Sequence, residues 1–144
     1  MKALSIRQPW ASMILGTAPE WPDRPGLVSA RSMPKDIENR CWSTSYRGPL
    51  LVHAPKGIES LEYFYGPCVD QVLAELPRGV LLGCVELVRC GLWRSTSPWA
   101  EPAQYHWRLE NPVAFPEPLV WRGQQGLFDV PDSVCEELFK QVEG

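Results

Sequence analysis

Short apolar runs that end on charge, cut apart by proline and glycine, constrain this chain more than any other feature. The 144 residues include 15 prolines and 11 glycines. Strands must therefore be short, helices few and turns tight. Three such runs fall within the first 54 residues. The first is Leu4-Ser5-Ile6-Arg7-Gln8-Pro9-Trp10, the second Lys35-Asp36-Ile37-Glu38-Asn39-Arg40-Cys41-Trp42, and the third Tyr46-Arg47-Gly48-Pro49-Leu50-Leu51-Val52-His53-Ala54. Ordinary strands carry Val or Thr where this chain places Arg, Lys and Glu, and aromatic rings stand beside those charges. Cations interleaved with rings on short strands suit a flat ring that carries negative groups. A nucleobase with its phosphate is the commonest ligand of that kind.

The remaining pattern is strand-rich. Lys2 to Arg7 reads as a strand, Pro9 suits the first turn of a helix, and Trp10 to Leu15 forms a short apolar helix ending at Gly16. Thr17 to Pro34 contains four prolines and a glycine without a period, and is expected to be an inserted surface loop. Strands follow at Ile37–Trp42 and Leu50–Ala54. Apolar residues spaced by three and four from Leu61 to Leu76 predict a helix divided at Gly66-Pro67. A long strand is expected from Val80 to Val88, an irregular loop from Leu92 to Pro102, and a strand from Tyr105 to Leu109. Short extended pieces flanked by prolines cover Val113–Phe115 and Leu119–Trp121. A last strand, Leu127–Val130, precedes a helix from Pro131 to Val142 with Leu138 and Phe139 facing inward. These elements predict an α+β fold in one domain, residues 1–144, on a small mixed β-barrel or curved sheet with peripheral helices.

Composition narrows the function. Apolar residues make up 44% and charged residues 22%, enough for a core without staples. No apolar run approaches the roughly 20 residues that span a membrane, and no leader pattern opens the chain, so a cytoplasmic protein without membrane contact is expected. The five cysteines are odd in number and scattered, and there are two histidines. Neither a disulfide frame nor a metal site is expected, nor any cofactor. The net charge of −3 argues against indiscriminate binding to long nucleic acid. Yet residues 1–56 hold eight Lys or Arg against four Asp or Glu, and residues 57–144 six against thirteen. Ten of the fourteen cations are arginine, the cation that grips phosphate with two prongs and stacks on rings. That pattern suits a local pocket.

Leu-Ser-Ile-Arg-Gln-Pro-Trp-Ala at the start, the Lys35…Glu38…Arg40 spacing and the Tyr46-Arg47-Gly48…His53-Ala54 close resemble the ASCH domain, a family of the PUA-like folds. Gly79–Leu87 looks like that family's central strand. Ser97-Pro98-Trp99, Tyr105–Leu109 and Arg122–Phe128 look like its later blocks. The 17–34 segment departs from it, standing where the family has a short turn after its first helix. The resemblance implies a PUA-like barrel whose cleft binds RNA or a modified nucleotide or nucleoside. Some small members are amidohydrolases that remove an acyl group from N4-acylated cytidine through a Lys, a Thr and a Glu. The Lys would correspond to Lys35, but the Thr position holds Glu38 in this chain.

Candidate residues follow from both readings. On a strand, Glu38 and Arg40 share a face, and Lys35 takes the other unless the strand begins after it. By spacing alone the group reads first as a surface ion pair, and the resemblance reverses that order. As an ammonium, Lys35 would bind phosphate. Stripped of its proton, it would act with Glu38 in a metal-independent hydrolase, cutting an RNA phosphodiester bond or an acylated base. The resemblance places Arg7 and Gln8 at the pocket wall. Arg47 would contact phosphate, and Ser97, Tyr105 and Trp107 would supply a hydroxyl, a phenol and a stacking ring. Arg122 and Gln125 belong to a Gly-flanked wall. His53, alone in an apolar strand, reads as a satisfied core residue. Glu86 on the central strand is a candidate partner carboxylate. The 17–34 loop offers a contact for a protein partner.

Overall fold

A computed structural model of the protein describes residues 1–17, 35–57 and 76–143. The inserted loop and the divided helix expected over Leu61–Leu76 lie outside the described residues, apart from Thr17 and Leu76. Six strands and two helices follow in the order β1 (Lys2–Ser5), α1 (Trp10–Leu15), β2 (Ile37–Arg40), β3 (Gly48–Ala54), β4 (Val80–Gly91), β5 (Tyr105–Val120), β6 (Leu127–Asp129) and α2 (Asp132–Lys140). The α+β pattern and the order of elements are those expected. The ends of β1, β2 and β6 fall one or two residues short of those expected.

All six strands join one mixed sheet in the order β2-β5-β4-β3-β1-β6. β1 runs parallel to β3, and every other pair is antiparallel. The expected barrel is not closed: β2 and β6 stand at opposite edges of the sheet. They have four and three residues and pair only with β5 and β1, and a side chain crosses the seam: Arg40 at the end of β2 donates to the backbone carbonyl of Ser5 at the end of β1, beyond the reach of β6.

The three short pieces expected between Tyr105 and Trp121 are one strand of 16 residues, with Pro112, Pro116 and Pro118 inside it. Its pairing with β4 jumps from Glu86↔Glu110 to Cys84↔Val113, and from Gly83↔Ala114 to Leu81↔Leu119. The prolines fall at those jumps, where no ladder N–H is needed. Asn111 takes a positive φ of 51° at the first of them. Proline thus bends this strand without ending it, and the bulges give the sheet its curvature.

β3 is buried on both faces. Leu50, Val52 and Ala54 join Leu4, Ile6, Ile14, Val85 and Trp107 in the larger core beneath α1. Leu51 faces the other way, with Phe115, Phe128, Cys135 and Leu138 beneath α2. That double burial explains its unbroken apolar run. Phe139 completes the second core edge-on to Phe115, with ring centroids 5.4 Å apart. α1 lies so close to the sheet that a Cβ on Gly83 would fall on the Val113 carbonyl oxygen and within 2.7 Å of Leu15 Cδ1. Gly83→Ala is therefore expected to destabilise the protein by about 1–3 kcal/mol through overpacking, read as a lower urea midpoint at an unchanged m-value.

Candidate nucleobase cleft

The curvature brings β2, at one edge, beside the end of β1, and the seam between them opens into a cleft of about 970 Å³. Its chemistry starts from one buried carboxylate. Glu38 Oε1 lies 3.4 Å from Lys35 Nζ, and Oε2 lies 3.3 Å from Arg40 Nη2. The backbone N–H of Asn39 also donates to Oε1, at 3.1 Å. Lys35 Nζ donates to the Ile37 carbonyl as well and lies 5.6 Å from the Trp10 ring centroid. Arg40 Nη2 reaches Ser5 O at 2.6 Å. Side-chain exposure is 5% for Lys35, 8% for Glu38 and 25% for Arg40. Lys35 precedes the first residue of β2, so strand alternation does not bind it. It curls onto the face that Glu38 and Arg40 share, and the two-faced alternative is resolved by where the strand begins.

Arg7, Lys35, Glu38, Arg40 and Gln125 all line this cleft, so five of the sequence-derived candidates are brought together. Six others stand elsewhere. Gln8 is buried under α1, where its amide donates to Ser12 Oγ and the Pro77 carbonyl and accepts from the Ser12 N–H. Arg47 donates to the carbonyls of Thr44, Tyr46 and Cys90. Trp107 is fully buried, edge-on to Trp42 at 4.7 Å, and donates from Nε1 to the Trp42 carbonyl. It supports a cleft ring without lining the cleft. Tyr105, the cross-strand partner of Arg40, packs against the larger core. Arg122 is exposed outside the lining. Glu86 is exposed opposite Glu110, away from the cleft.

Ser97 acts at one remove. Its hydroxyl donates to Asp36 Oδ1 at 2.6 Å and accepts from the Trp99 N–H at 3.2 Å. Asn39 clamps the same turn, donating from Nδ2 to the Trp99 carbonyl at 2.8 Å and accepting from the Glu101 N–H at 2.9 Å. Two residues from the β2 segment thus hold Trp99 in the cleft wall. Asn39 and the Trp42 ring are not among the sequence-derived candidates, Trp10 on its apolar helix face reads from sequence as core, and Trp99 reads only as one ring of its block. An interleaved tryptophan was the available signal, but nothing local tells a core indole from one at a cleft mouth. Among the described residues the buried Trp99 indole N–H has no acceptor.

The wall that carries Gln124 and Gln125 is tied to the sheet by His53. Its Nε2 lies 2.7 Å from the Trp121 carbonyl, which can only accept, so Nε2 carries the proton and Nδ1 accepts from the Ser5 hydroxyl at 2.9 Å. A Cβ on Gly123 would come within 2.5 Å of Ser5 Oγ and 2.6 Å of His53 Cε1, so only glycine lets the wall lie this close. Among the described residues no group of His, Cys, Asp and Glu is arranged to hold a metal ion, and no helix is long and apolar enough to cross a membrane. Cys41, Cys84, Cys90 and Cys135 are free thiols, and burial pushes that of Cys84 up to about 11.

The chain is similar to activating signal cointegrator 1. It is 32% identical to the Homo sapiens protein over 97 residues, which cover 60% of this chain and 14% of that protein. The Mus musculus protein matches with the same identity and coverage. The chain thus spans about a seventh of these relatives' length. No family model matches it. The similarity lends support to an ASCH-like domain.

Two outcomes test the geometry. Removing the carboxylate in Glu38→Ala leaves Lys35 buried without its counter-charge, and a loss of about 3–5 kcal/mol is expected in urea unfolding. Burial lowers the pKa of His53 from its ordinary 6.5. The unfolded chain therefore takes up that proton more readily than the folded one. The stability that neutral His53 provides is complete above pH 6.5 and is lost as pH falls through its folded value. The urea midpoint should drop more steeply on acidification in the wild type than in His53→Gln.

Proposed function

We propose that this chain binds the base and phosphate of RNA, or of a modified nucleotide or nucleoside, in the seam cleft. One observation carries the reading: three cations, Arg7, Lys35 and Arg40, and three indole rings, Trp10, Trp42 and Trp99, line a single cavity with the amides of Gln124 and Gln125. Indoles offer faces to any base, guanidinium groups match phosphate, and side-chain amides pair with base edges. A volume of about 970 Å³ is in the range of sites for small ligands. The likeness to a signal cointegrator is loosely consistent with nucleic-acid binding. On this reading the chain is one domain in which Gln8, Ser97 and Trp107 shape the walls, while Arg47, Tyr105 and Arg122 lie outside the base site.

A second reading rests on the contact between Lys35 and Glu38 in the same cavity. An amine and a carboxylate at a cleft are the minimum for a metal-independent hydrolase of an RNA phosphodiester bond or of N4-acylated cytidine. Both readings meet one experiment. Single-stranded RNA and N4-acetylcytidine are titrated against the protein by tryptophan fluorescence, and the mixtures are then resolved by mass spectrometry. Quenching with intact ligand, weakened at least about tenfold in Gln125→Ala, Trp99→Ala, supports the binding reading. Product that disappears in Lys35→Met makes the protein an enzyme. Neither quenching nor product rejects both.

A further inference from the structure

Four arginines gather at the far end of β4 and β5, outside the cleft. Arg89 and Arg108 face each other across the strand pair, an arrangement in which like charges repel. The Arg89 guanidinium carbon lies 3.9 Å from the Trp93 ring centroid, and among the described residues no carboxylate pairs with it. Among the described residues Arg108 Nε pairs with Glu110 alone, at 3.5 Å, with both side chains nearly half exposed, so that pair is weak. Arg47 is drawn in by its bond to the Cys90 carbonyl at 3.2 Å, next to Arg89 in the chain. Arg94, exposed, follows Trp93. On that face Glu86 and Glu110 form the next cross-strand row, beyond Leu87 and Leu109, so the directly opposed Arg89 and Arg108 are the cationic pair at its end.

The patch is joined to the cleft by contact. Trp93 packs edge-on against His106 with centroids 5.2 Å apart. His106 Nδ1 lies 3.3 Å from Asn39 Oδ1, and Asn39 lines the cleft. Cleft rim, buried His106, Trp93 and Arg89 thus form one chain of contacts. An arginine held flat on an indole keeps its N–H edge pointing outward, ready for a two-pronged contact with phosphate.

We propose that this arginine patch is a second binding site, which takes the phosphate backbone of a single-stranded RNA whose base occupies the cleft. The inference rests on the cleft reading and narrows it: the ligand is a polynucleotide, not a free nucleotide. Repulsion between Arg89 and Arg108, only partly offset by the exposed Glu110, is relieved when a phosphate lies between them.

The test uses the full chain and the double variant Arg89→Ala, Arg108→Ala. Labelled RNAs of about three and about twelve nucleotides are titrated at several salt concentrations. Wild type should bind the longer RNA with the steeper salt dependence. The variant should bind it about tenfold more weakly, with a slope shallower by about 0.7 for each phosphate that the protein no longer neutralises, and bind the shorter RNA as wild type does. Its thermal midpoint should be unchanged or higher, because a repulsive pair has gone. The paired lysine variant should restore the slope. An unchanged slope and affinity for the longer RNA overturn the proposal, as does equal weakening of both RNAs. Normal RNA binding with lost affinity for poly-glutamate also overturns it, and assigns the patch to an acidic protein. Failure of wild type to bind either RNA rejects the cleft reading itself.

Discussion

The buried carboxylate of Glu38, held between Lys35 and Arg40, is the interaction on which the seam and its cleft depend. It lets two cations sit at a strand edge with little water around them, where either alone would carry a large desolvation penalty. Arg40, paired on one side, spends its other reach on the Ser5 carbonyl. The β2 edge is thereby held beside the end of β1 by a side chain. A backbone ladder at that position would close the barrel and fill the space that is now a cleft.

Curvature makes this possible. In β5 the prolines fall at the bulges, so each removes a donor where the ladder has none to satisfy, and the strand bends toward β4 without ending. Gly83 then lets α1 settle onto the concave side, where Trp10 at the first turn of the helix reaches the cleft. The fold and the cavity have one cause: a sheet bent by proline and glycine whose last gap is bridged by an arginine.

The cleft walls come from separate places along the chain and are locked differently. The Trp99 turn hangs on polar side chains, Asp36 and Asn39, that reach out from the β2 segment. The Gln124–Gln125 wall is held by a neutral imidazole and by the absence of a side chain at Gly123. Preorganised walls of this kind reduce the ordering that a ligand would have to impose. They also explain why Ser97 and Trp107, which looked like ligand contacts from their chemistry, act through neighbours: the Ser97 hydroxyl is used by Asp36 and the Trp107 indole N–H by Trp42.

Much of the fold was legible because local rules governed it. Periodicity and turn residues placed α1 and β3, and placed the cores of β1, β2, β4 and β6 within a few residues. They failed at β5, where proline reads as a stop and only the register with β4 shows it to be a bulge. Within the candidate site, the charged cluster Lys35, Glu38 and Arg40 was readable, since its members are neighbours in the chain and their types are unusual for a strand. Gln8 and Arg47 stand outside the cleft lining because the same residue type satisfies backbone carbonyls as readily as it meets a ligand, and only the surrounding carbonyls decide which. The sequence by itself determined the α+β class, the placement of cations among rings and the apolar faces that become the two cores, because these depend on spacing along the chain. The tertiary structure alone decided that the sheet stays open, that Trp42 and Trp99 line one cleft, and that Arg89 is set opposite Arg108. Those outcomes depend on register and curvature, which sum over residues far apart in sequence.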